Sequence, residues 1–147
     1  MSPMLRSVAT LAVSLVTVWG CSSEEAATPT NCAEESGEPQ GTPSGATCPA
    51  DSTLTYDTFA KPFAEKYCTR CHASSLMGAA RQCAPLDHDC DSEAGILEIG
   101  EHIDEAAAAG LDAVNTAMPP SGPMPTEAER RQLGEWLACN ADAWGSE

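Results

Sequence analysis

Cys68-Thr69-Arg70-Cys71-His72 places two thiols three positions apart and follows the second at once with an imidazole. That order suits covalent attachment of a haem c: the thiols add to its two vinyl groups as thioethers, and the imidazole of His72 ligates the iron. Two other chemistries use part of the pattern. A redox dithiol expects an α/β setting and has no need of the histidine. A zinc site needs two further ligands, which Cys83, His88 and Cys90 could supply.

An iron held by His72 takes its sixth ligand from elsewhere in the chain. Met118 lies 46 residues after His72, far enough for the chain to pass around a porphyrin, and Pro119 and Pro120 stiffen the loop behind it. A thioether there favours Fe(II) and raises the reduction potential. Met124, followed by Pro125, is the rival, but it stands close to the helix cap at Thr126. Met77 is only five residues beyond His72. His102 lies among Ile99 and Ile103, where such a histidine is more often a half-exposed helix residue than a ligand. His88, between Asp87, Asp89 and Asp91, reads as a solvated loop cation. A weak metal site built from these four residues is the alternative.

The elements that must position these groups read as all-α, with no alternating strand pattern and no internal repeat. A first helix over about Tyr56 to Cys71 carries Phe59, Phe63 and Tyr67 as an aromatic stripe. Pro62 either falls in its first turn or kinks it. A second helix, capped by Asp91 or Ser92, sets Ile96, Ile99, Ile103 and Ala106 on one face and stops at Gly110. A third starts from the capping box Thr126-Glu127-Ala128-Glu129, buries Leu133, Trp136 and Leu137, and ends at Cys139-Asn140. So few large apolar residues stabilise a domain of this size only marginally, and a buried porphyrin would enlarge the core.

The chain has 147 residues and a formal charge of -15, and every one of its 22 carboxylates lies after Cys21. Such a surface repels phosphates, so nucleic acid is excluded as a partner and basic docking surfaces are favoured. Eight cysteines in so short a chain argue for an oxidising compartment. Residues 1–20 have the layout of a signal peptide, with Arg6 ahead of an apolar run too short to span a membrane comfortably. Val18-Trp19-Gly20-Cys21-Ser22 resembles the lipobox of bacterial lipoproteins. That resemblance implies an exported periplasmic or outer-membrane protein anchored through acylated Cys21. Residues 21–53, rich in Glu, Ser, Thr, Pro and Gly, read as a flexible linker, and residues 54–147 as the folded domain.

From Tyr56 to Asn140 the order of parts resembles a class I cytochrome c: an aromatic helix, Cys68-Thr69-Arg70-Cys71-His72, a variable middle, Ala117-Met118-Pro119-Pro120, and a closing aromatic helix. The resemblance implies a single haem c on Cys68 and Cys71 with His72 and Met118 as axial ligands. It also implies first and last helices that cross, with Phe63 and Trp136 at the contact. The activity it implies is electron transfer between protein partners, without substrate chemistry of the chain's own. A haem enzyme, a sensor, or a haem subunit of a larger oxidoreductase, with an open sixth position, is the alternative, although no distal acid/base pair is evident. A disulfide-linked or zinc-binding surface lipoprotein is a third reading.

Five cysteines remain once Cys21, Cys68 and Cys71 are assigned. Cys83 and Cys90 close a short loop and form the first expected pair. Cys48 and Cys139 meet if the flanking helices cross, leaving Cys32 single; Cys32 with Cys48 is the alternative.

Overall fold

A computed structural model describes residues 41–144; residues 1–40, including the signal peptide, Cys21 and Cys32, and residues 145–147 lie outside them. The described part is all-α, with one isolated antiparallel bridge between Ala109 and Val114. Helices α1 (Lys61–Tyr67), α2 (Glu93–Glu98), α3 (Gly100–Ala107) and α4 (Glu127–Cys139) surround the core. None of the helices in the described residues is long and apolar enough to cross a membrane.

A π-helical turn, Tyr56–Ala60, leads into α1, and Pro62 occupies the first turn of α1, where its missing N–H costs nothing. Thr55 and Thr58 close a capping box at the entrance. The aromatic stripe forms: the Phe59 and Phe63 rings lie 5.6 Å apart and those of Phe63 and Tyr67 4.8 Å apart. The helix ends four residues earlier than the sequence suggests, at Tyr67. The expected second helix is interrupted at Ile99, whose φ of -107° and ψ of 26° separate α2 from α3. Its apolar periodicity survives the break, because Ile96, Ile99 and Ala106 are all buried. Ser92, rather than Asp91, caps α2 by accepting a bond from the Gly95 N–H.

Helix α4 buries Leu133, Trp136 and Leu137 against Phe63, Ala64, Tyr67 and Ile96. Gly134 lets it come close: a Cβ there would stand 2.6 Å from the Ala109 carbonyl oxygen. The cap of α4 also reaches α1. One Glu129 oxygen accepts from the Tyr67 hydroxyl at 2.8 Å and from Lys66 Nζ at 3.2 Å. The other accepts from the Thr126 N–H and hydroxyl, both at 2.8 Å. These donors, the Thr126 N–H foremost, lower the Glu129 pKa from its ordinary 4.5 to about 2. A depressed carboxylate pKa stabilises the fold fully above pH 4.5 and progressively less as pH falls toward 2. The stability difference between the wild type and Glu129→Gln, read from urea midpoints, should therefore be constant at and above pH 5 and shrink below pH 4.5. A difference that does not vary between pH 5 and pH 2.5 would sink this account.

The end of the expected linker is docked onto the helices. Ser44 is fully buried, and its N–H and hydroxyl both donate to the buried carboxylate of Asp104. The Asp112 and Ala113 N–H groups donate to the Ser44 carbonyl. Cys48 is bonded to Cys139 across 91 residues. Composition alone reads residues 41–53 as linker, because these attachments are made by a serine, backbone groups and one cysteine rather than by large apolar side chains.

Candidate functional site

Cys68 and Cys71 leave α1 through one hydrogen-bonded turn, in which the Cys71 and His72 N–H groups both donate to the Cys68 carbonyl at 3.0 Å. Both thiols are free and half-buried. His72 is oriented from the loop that follows: its Nδ1 lies 3.0 Å from the His88 carbonyl oxygen. A carbonyl only accepts, so Nδ1 carries the proton and Nε2 keeps its lone pair. Burial also lowers the His72 pKa, which favours the neutral imidazole that binds metals.

The loop between His72 and α2 reads in the sequence as variable and polar, yet one residue organises it. Arg81 is 3% exposed and donates to the carbonyls of Ala73, Ala84, Pro85 and His88 and to Asp89. The same His88 carbonyl thus receives both His72 and Arg81. Asp91 accepts from the Ser74 N–H and hydroxyl at 2.9 and 2.8 Å, and the hydroxyl in particular lowers its pKa. His88 is not the solvated loop residue expected. It is half-buried, with its ring 6.3 Å from that of His72 and 5.2 Å from that of His102. The only signal in the sequence was a lone arginine facing three nearby aspartates.

Cys90 corrects another expectation. It is a free, buried thiol and not the partner of Cys83, which is disulfide-bonded elsewhere. Its N–H donates to the His72 carbonyl at 2.7 Å, and its side chain lines the same cavity as Cys68. The neighbouring Cys68 thiol and burial together raise its pKa. The backbone hook onto His72 turns Cys90 into the core, which the short separation from Cys83 could not reveal. Cys48 and Cys139 do pair. Among the described residues no group of three or more His, Cys, Asp or Glu could hold a metal ion, so neither the zinc set nor the aspartate-loop site is assembled.

The methionines separate cleanly. Met118 is half-buried against the core cluster that also receives Cys68. Met124 and Met77 are 50% and 69% exposed. Phe63 and Trp136 belong to that same cluster.

The donors fit a covalently attached haem: two free thiols, an imidazole with Nε2 available, and a thioether on the shared core. The space between them sets a condition. Phe63, Cys68, Cys90, Ile96, Ile103 and Leu133 help to line a cavity of about 10 Å3, room for one water at most. A space of this size does not admit a porphyrin, so a bound haem requires the residues lining it to move apart. No protein-family model matches the chain, and no curated protein or solved structure matches it.

Proposed function

We propose that the chain is a monohaem c-type cytochrome that carries single electrons outside the cytoplasm, held by a lipid on Cys21. The observation that carries the reading is the motif's state: Cys68 and Cys71 are free on one turn, and His72 is fixed through Nδ1 with Nε2 left to ligate. Cys68 and Cys71 would hold the haem, His72 would be its proximal ligand and Met118 its distal one. Bound haem supplies a one-electron iron couple. The chain contributes a neutral imidazole, a soft thioether and an apolar surround, and its charge of -15 favours partners with basic docking faces.

A pyridine haemochrome spectrum of the exported protein tests this directly, and a colourless preparation would end the proposal. In the same preparation, Met118→Ala should abolish the sulfur-to-iron charge-transfer band of the oxidised form while leaving the haem content unchanged. A band that survives in Met118→Ala but is lost in Met124→Ala would reassign the ligand. Rapid binding of carbon monoxide by the reduced wild type would replace electron transfer with an open-site function.

A further inference from the structure

Arg130, in the first turns of α4, is 2% exposed, and its Nη1 donates to three backbone carbonyls. These are Ala107 at 2.8 Å, Asn115 at 2.9 Å and Met118 at 2.9 Å. Neither the sequence patterns nor the resemblance gives this residue a role, and burying a guanidinium is costly unless its donors are used. Here they join the end of α3 to the loop that precedes Pro119.

The backbone of Met118 is held on its other side as well. Its N–H donates to the Ala106 carbonyl at 2.9 Å, and three residues earlier the Asn115 N–H donates to Ala108 at 2.9 Å. The Asn115 side-chain amide ties the same strip to the Asp104 and Thr42 carbonyls, each at 2.8 Å. Residues 115–118 are therefore laid along the end of α3, and both backbone polar groups of Met118 are occupied. With the backbone fixed, the point and direction at which the Met118 side chain leaves the chain are fixed, so its thioether searches a smaller space.

We infer that Arg130 is a positioning residue, a buried clamp on the Met118 carbonyl that holds the thioether where an axial ligand is needed. The inference rests on the function proposed above. A neutral thioether is a weak ligand, so its retention on iron depends on how little it must be ordered at the moment of bonding. Losing the clamp frees the Met118 carbonyl and lets the loop swing, without touching Cys68, Cys71 or His72.

The test uses the full-length holoprotein in three forms: wild type, Arg130→Met and Arg130→Lys. Arg130→Met should keep its haemochrome intensity and lose the sulfur-to-iron band. Its reduced form should bind carbon monoxide at least about tenfold faster, and the Met118 amide should exchange faster with solvent. In Arg130→Lys the charge remains, but a single ammonium replaces the planar fork. It should keep part of the band, bind carbon monoxide at a rate between those of the wild type and Arg130→Met, and exchange the Met118 amide faster than the wild type. A full band, wild-type carbon monoxide kinetics and unchanged amide exchange in Arg130→Met overturn the clamp. Should Arg130→Met fail to accumulate, an Arg130→Lys protein with a full band, wild-type carbon monoxide kinetics and unchanged Met118 amide exchange overturns it just as well. A wild type that holds haem but lacks the band removes Met118 as ligand and the clamp with it, whereas a band kept in every form removes the clamp alone.

Discussion

Replacing Cys48 and Cys139 together by serine should lower the unfolding free energy by about 4 to 5 kcal/mol. The bond closes a chain of 91 residues, and the conformational entropy that such a crosslink removes from the unfolded state corresponds to that magnitude. A small domain is stable by only about 5 to 10 kcal/mol in total, so the variant should be largely unfolded at 37 °C. Urea denaturation followed by circular dichroism, with and without a reductant, checks it. The wild type under reductant should fall at least to the level of the double variant, because the bond at Cys83 opens as well. A loss below about 1 kcal/mol would mean that the hydrogen bonds of Thr42, Ser44 and Ser52 hold the entering chain without the crosslink.

The second large effect lies in the core. Trp136 is 1% exposed and belongs to the cluster that joins α1 to α4 through Phe63 and Tyr67. Trp136→Ala removes the largest fully buried side chain among the described residues, and large-to-small changes of this kind cost roughly 3 to 5 kcal/mol, the lost transfer energy plus a cavity. Much of the rest of that cluster is alanine, at Ala60, Ala64, Ala107 and Ala108. Small side chains cannot swing in to refill the space, which places the expectation at the upper end of the range. Trp136→Phe keeps an aromatic ring and should cost less than half as much. Equal losses for the two variants would show that the indole acts through something other than volume.

Periodic features were legible from the sequence, and features made by single polar groups were not. The stripe of Phe59, Phe63 and Tyr67, the isoleucines of α2 and α3, and the Thr126 box on α4 all follow from spacing, because helix geometry repeats. The break at Ile99 leaves that spacing almost unchanged and so leaves no trace in it. The two thiols and His72 were legible from order alone. What orients His72 is a carbonyl sixteen positions away, and a carbonyl has no sequence signature. Arg81 and Arg130 were missed for the same reason, since each finds backbone acceptors that any residue could supply. Cys90 was misassigned because proximity along the chain says little about direction, and its backbone hook onto His72 aims it at Cys68.

The Cys48–Cys139 bond also decides how the domain would carry a mechanical load. Tension applied at Gly41 first meets the hydrogen bond from Asn115 to the Thr42 carbonyl, then those of Ser44 to Asp104, and then the covalent crosslink at Cys48. From there it passes into the last turn of α4, instead of threading through Thr53 and Tyr56 into α1. The turn that holds Cys68, Cys71 and His72 lies off the load path. A pull applied at Gly41 would leave the spacing of thiols and imidazole undisturbed, whereas one applied through the bond at Cys83 would enter the loop that orients His72.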